Sequence, residues 1–163
     1  EKKIDSAVYH YRQFLRLSPD SALGHTKLAN ALALTDNTTE AVRHFEQALK
    51  LSPDYVPAYH GLADLMVRLG ETEKAIMLYR SALRINPALF QTHNNLALAL
   101  YEQGRLREAF DHLNQAVRIN PAYQTAIQNR RIILENMTKT EANKDVTGAL
   151  DSSDSVPGFE TSD

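Results

Sequence analysis

The 163-residue sequence predicts an all-α fold, an α-solenoid of stacked antiparallel helix pairs. Three observations lead there. Pro19, Pro53, Pro87 and Pro121 stand 34 residues apart, and Leu17-Ser18-Pro19-Asp20 returns as Leu51-Ser52-Pro53-Asp54 and, more loosely, as Ile85-Asn86-Pro87-Ala88 and Ile119-Asn120-Pro121-Ala122. Between prolines the apolar residues recur at steps of three and four, the period of a helix with one buried face. Midway through each interval the pattern breaks at Asp36-Asn37, Gly70 or Gly104, residue types that tolerate the left-handed conformation ending a helix.

The prolines delimit three complete units, 22–55, 56–89 and 90–123, in which proline is the thirty-second position. The seventh position is then Leu28, Leu62 and Leu96, the eighth Ala29, Ala63 and Ala97, and the eleventh Leu32, Met66 and Leu100. In the second half, the twentieth is Ala41, Ala75 and Ala109, the twenty-fourth Phe45, Tyr79 and Leu113, and the twenty-seventh Ala48, Ala82 and Ala116. Small residues let two helices approach, and their bulky neighbours interdigitate around the contact. Asn37-Thr38-Thr39-Glu40 has the spacing of a capping box, and the second helix of each unit stops before its proline, whose ring disfavours a helical residue ahead of it. One such hairpin cannot bury its own apolar face, so successive units must stack.

The ends are read by the same frame. Residues 1–21 match the second helix of a truncated unit, with Ile4, Ala7, Tyr11, Phe14 and Leu15 on its buried positions. Without a first helix beside it, this end is expected to leave apolar surface uncovered, and Ile4, Tyr11 and Phe14 are the expected self-association residues. Residues 124–138 fit one further first-type helix whose seventh and eighth positions are Arg130 and Arg131, the polar outer face of a C-terminal cap. From 139 to 163 six acids face two lysines amid Ser, Thr, Gly and Pro, a composition expected to stay disordered by itself.

Composition narrows the function classes. With no cysteine there is neither a disulfide framework nor thiol chemistry, and the compartment stays open. The cytoplasm is the default expectation, with an extracytoplasmic place if the chain belongs to a membrane-anchored protein. A net charge of −2, with no basic run longer than a pair such as Arg130-Arg131, offers no footprint for nucleic acid, and no apolar run approaches a membrane span. No phosphate loop, H-E-x-x-H or G-x-S-x-G motif is present, so neither an active site nor a cofactor is expected. Among the six histidines, His10, His44 and His112 share the twenty-third position, while His25 and His93 share the fourth. Equivalent positions in neighbouring units lie roughly 8–10 Å apart, too far to share a metal bound at about 2 Å per ligand, so no metal site is expected.

The 34-residue period with Leu62-Ala63, Ala75, Tyr79, Ala82 and Pro87 resembles the tetratricopeptide repeat, and the match extends from residue 1 to about 137. The departure is the fourth position, where the family favours tryptophan and this chain has His25, Tyr59 and His93, which is expected to weaken packing there. The resemblance implies a right-handed superhelix whose first helices line a concave, partner-binding face. It also implies two binding modes. A clamp for a chaperone's C-terminal carboxylate would need basic residues and asparagines where this chain has Thr26, Asn30, Gly61, Gln91 and Asn95, of which only Asn30 fits. An asparagine ladder at the sixth position, as in the repeat arm of O-linked N-acetylglucosamine transferase, is matched by Asn95 and Asn129 but not by Lys27 or Gly61.

The expected function is therefore a protein-interaction scaffold that receives a peptide or helical segment of a partner, with no catalysis. The expected contact residues are Asn30, Asp64, Arg68, Asn94, Asn95, Leu98, Tyr101 and Asn129. Two alternatives remain open: an arm of a larger enzyme, such as a glycosyltransferase or a membrane-anchored protein, and a purely oligomerising module. With few charges on the lining, binding is expected to depend only weakly on salt.

Overall fold

Why each hairpin closes where it does is visible in its turns. The structure, a computed structural model, describes residues 2–35 and 37–151. Its described helices are α1 (Lys2–Leu17), α2 (Ala22–Ala33), α3 (Thr38–Leu51), α4 (Val56–Arg68), α5 (Thr72–Ile85), α6 (Phe90–Glu102), α7 (Leu106–Ile119) and α8 (Gln124–Asp151). Hairpins α2/α3, α4/α5 and α6/α7 are the three units, hereafter units 1, 2 and 3. The chain leaves α4 and α6 through Gly70 and Gly104, with φ of +76° and +72°. There the amide of Glu71 donates to the carbonyl of Met66 and that of Gly70 to Val67; Arg105 and Gly104 repeat the pattern on Leu100 and Tyr101. These paired bonds satisfy carbonyls that a helix end leaves open and turn the chain back. The Asp36 half of the first break lies outside the described residues.

The second helices end in extended backbone. Ser52, Asn86 and Asn120 have φ between −141° and −130° and donate their amides to Ala48, Ala82 and Ala116. Asn86 and Asn120 then accept from the amides of Ala88 and Ala122 through their side chains, which spans the proline, a residue with no N–H to offer. At helix starts the outcome is mixed. Ser21 caps α2 by accepting from the Gly24 amide at 3.1 Å. The expected capping box at Asn37 does not form: Asn37 makes no side-chain cap bond and donates instead to Thr35 Oγ1 at 3.1 Å.

The repeat positions become one continuous core. The alanines at the eighth, twentieth and twenty-seventh positions are all fully buried, and Leu28, Leu62, Leu96, Phe45, Tyr79 and Leu113 pack around them. At the fourth position the missing tryptophan is replaced by a polar tie. His25 Nε2 lies 2.9 Å from the carbonyl of Pro19, Tyr59 Oη donates to Pro53 at 3.0 Å, and His93 Nε2 lies 3.1 Å from Pro87. These side chains therefore link a unit to the proline turn before it, which the expectation of weakened packing overlooked.

The two ends differ from the interior. In α1, Ala7 and Tyr11 are half-buried where Ala41 and Phe45 of α3 are fully buried. Phe14 takes a position that is alanine in every complete unit, and Gly24 makes room for it: a Cβ there would stand 2.7 Å from Phe14 Cε1 and 2.9 Å from Leu15 Cδ2. Tyr11 leans on the core with Val8 and Leu15, so the more exposed apolar groups are Tyr9 and Leu17, with Phe14 at 43%. At the other end Ala126 and Ile133 dock α8 against the array. The cap was expected to stop near residue 138, but α8 runs on to Asp151. Residues 139–147 contain neither glycine nor proline, so nothing in the chain terminates the helix there. The rest of the acidic segment, 152–163, lies outside the described residues.

Ion pairs stitch neighbouring second helices. Arg12 of α1 holds Glu40 of α3 at 2.8 and 2.9 Å, and Arg80 of α5 holds Glu108 of α7 at 2.9 Å, each pair 28 residues apart. Between α3 and α5 the same positions carry Glu46 and Lys74, with the signs exchanged, beside an open groove of about 720 Å³.

Candidate partner-binding groove

The first helices of successive units lie next to one another, so their fifth, sixth, ninth and twelfth positions form a common lining. Between α2, α4 and α6 this lining encloses a depression of about 410 Å³ walled by Asn30, Val56, Pro57, His60, Gly61, Asp64, Leu89, Gln91 and Thr92. Asp64 sits at its edge. Its Oδ1 accepts from the Tyr79 hydroxyl and from Asn95 Nδ2 at 3.3 Å, and its Oδ2 lies 3.2 Å from His60 Nδ1. The His60 ring stands edge-on to Tyr79.

From Asp64 a chain of amides runs toward the cap. Asn94 Nδ2 donates to Asn95 Oδ1 at 3.2 Å, and Asn129 Nδ2 of α8 donates to Asn94 Oδ1 at 2.9 Å. Donation runs in one direction, Asn129 to Asn94 to Asn95 to Asp64, and ends on a carboxylate that accepts throughout. Burial pushes the Asp64 carboxyl up, but donation from His60, Tyr79 and Asn95 outweighs it and holds the group below its ordinary value. Burial and then the bond to Asp64 push the Tyr79 hydroxyl far up, so it remains a donor.

The expected contact residues thus divide. Asn94, Asn95, Asn129 and Asp64 are brought together in one network, and Asn94 is buried, at 2% exposure, so it links its neighbours and does not face the open groove. Asn30 lines the depression, Arg68 is exposed, and Leu98 is 38% exposed. Tyr101 is half-buried, its hydroxyl accepting from Asn136 Nδ2 at 2.7 Å. Tyr79 and Asn136 were not foreseen as part of this face. Tyr79 was read only as core, although a buried tyrosine hydroxyl normally needs a partner, and that was the available signal.

Helix hairpins stacked in register around a polar inner lining define a repeat scaffold. A tetratricopeptide repeat model matches residues 20–88, and a second matches residues 90–123. The chain belongs to the tetratricopeptide repeat family and is a protein-interaction module; proteins of this family are generally non-enzymatic scaffolds. Among solved structures it is similar to a crystal structure of MamA at 21% identity and a TM-score of 0.76, covering 91% of this chain and 87% of that one. It is also similar to the first repeat domain of Spaghetti (RPAP3) bound to the HSP90 peptide SRMEEVD, at 17% identity and a TM-score of 0.69, covering 72% and 93%. These likenesses show the fold. No curated protein matches the chain.

Proposed function

We propose that the face formed by α4, α6 and α8 binds an extended segment of a partner protein. The observation that carries this is the one-way amide chain from Asn129 to Asp64. Asparagine has two donor hydrogens, and fixing Asn95 and Asn129 through one of them leaves the other to a partner without further loss of side-chain freedom, which suits the carbonyls of a peptide backbone. Leu98 and Tyr101 add apolar contact beside it. The segment differs from the acidic peptide on the RPAP3 domain: Gly61 and Gln91 stand where a carboxylate clamp needs its asparagine and cation, and Asp64 repels an anion. If the chain is an arm of a larger enzyme, the same face would present that enzyme's protein substrate.

The test is selection of binding sequences from a random peptide library on the full chain, repeated on Asn95→Ala/Asn129→Ala. Peptides enriched on the first, bound at least about tenfold more weakly by the second and little affected by salt, are the expected result. Equal binding to both would overturn the reading. A second reading, self-association through α1, rests on the exposure of Tyr9, Phe14 and Leu17 on one helix. Sedimentation equilibrium of the full chain and of Leu17→Glu tests it; a monomer at every concentration removes it.

A further inference from the structure

The fourth and twenty-third positions of a unit lie on opposite helices of one hairpin, and in units 1 and 3 both are histidine. The sequence comparison paired equivalent positions of different units and so missed this contact. His25 Nδ1 lies 2.8 Å from His44 Nδ1, and His93 Nδ1 lies 3.0 Å from His112 Nδ1, with ring centroids 5.1 and 5.2 Å apart. The second nitrogen of each fourth-position ring, Nε2, faces a proline carbonyl. A carbonyl can only accept, so Nε2 carries the proton and Nδ1 of the neutral ring is the acceptor. His44 and His112 must therefore donate from Nδ1. Each hairpin is closed by one N–H···N bond whose direction the preceding proline turn dictates.

That bond survives a first added proton and fails on a second. The outer nitrogen of His44 lies 3.8 Å from Glu40 Oε1, where a proton can enter without disturbing the pair. A further proton on Nδ1 of His25 or His93 would set one N–H against another. The surroundings oppose charging. At the first pair, Arg12 of α1 disfavours the cation and Glu40 of α3 favours it. At the second, Arg80 of α5 and Arg118 of α7 disfavour it, against Glu108 and Asp111 of α7. Burial, then the partner ring, hold His44 down; burial holds His93 down; burial and then His93 bring His112 to about 4. Unit 2 carries Tyr59 and Leu78 at these positions, and its tie to Pro53 cannot titrate in acid.

We infer that the two histidine pairs make units 1 and 3 acid-sensitive hairpins on either side of a unit 2 that lacks such a pair, so that a fall from pH 7 to pH 4.5 loosens units 1 and 3 more than unit 2. Because folded His44, His93 and His112 bind protons less readily than in the unfolded chain, their contribution is complete above about pH 6.5 and is lost as pH falls toward the folded value. For His112 alone this raises the opening constant on the order of fifty-fold between pH 7 and pH 4.5.

Amide hydrogen exchange of the full chain tests this, with rates corrected for intrinsic chemistry and α6–α7 compared with α4–α5 at pH 7 and pH 4.5. The expected result is that opening of α6–α7 relative to α4–α5 climbs on the order of fifty-fold. In His93→Tyr/His112→Leu, which transplants the pair found in unit 2, the climb should disappear. No climb in the parent protein, or the same climb in the variant, overturns the inference. If the variant does not fold, the ring titration of His112 in the parent protein, followed by NMR, decides: a midpoint near 4 supports the closed pair, and one near the ordinary value refutes it.

Discussion

At the junction of units 1 and 2, Phe45 points from α3 toward Gly61 and Asn30; at the junction of units 2 and 3, the same three positions hold Tyr79, Asn95 and Asp64. Both rings are buried. At Gly61 no side chain faces the phenyl ring, because a Cβ there would fall 2.5 Å from Phe45 Cε1 and 2.9 Å from Asn30 Oδ1. Against the phenol there is an amide and a carboxylate, and the hydroxyl passes through the core to reach the groove. The exchange of Phe, Gly and Asn for Tyr, Asn and Asp at these three positions thus separates an apolar ring contact from a junction whose hydroxyl connects the core to the binding face.

Removing the phenyl ring is the harshest way to break this contrast. Phe45→Ala should cost about 3–5 kcal/mol in a urea titration, since the ring is wholly enclosed in the core. Next comes Gly61→Ala. Overpacking costs about 1–3 kcal/mol and improved helix propensity returns about 1, so a net loss of about 1 kcal/mol is expected. Phe45→Leu, which imitates Leu113 opposite Asn129, should relieve the alanine, and the double variant should be more stable than the sum of the single changes.

Tyr79→Phe should cost about 1 kcal/mol, less than a fully buried bond to a charge because Asp64 is 46% exposed and water can replace the phenol. Its signature is in acid. The folded Asp64 carboxyl is depressed, so its contribution is present above the unfolded value and is lost as pH falls through the folded one. With one donor removed the depression shrinks, and the loss of stability below pH 4 should be shallower in the variant. Smallest of all, Arg12→Ala breaks an exposed pair with Glu40 and should change stability by at most about 1 kcal/mol.

Much of this was legible in the chain. The period of the prolines and the alanines at three fixed positions could be read directly, because steric rules at X-Pro bonds and close helix contacts act locally. The amide chain was only half legible. Asn95 and Asn129 announced themselves by sharing a position, but the link through Asn94 depends on a buried neighbour one residue away, and its terminus on a tyrosine from the opposite helix. The histidine pairs went unread because the useful comparison lies within a unit: fourth and twenty-third positions are both histidine in units 1 and 3, and neither is in unit 2. The extension of α8 went unread because composition describes a segment's average character, while a helix already started needs only the absence of a stop signal.

The exchanged signs along the second helices also bear on how such an array can be rearranged. A tandem copy of unit 2 would bring Arg80 against a second Lys74, and a tandem copy of unit 1 would bring Glu46 against a second Glu40. Each of these units is thus mismatched to itself and matched to its neighbour. The seam acts as a set of keyed edges: it adds little to stability, yet it distinguishes the native order of hairpins from a duplication or a one-unit slip that the alanine and leucine core would accept equally well.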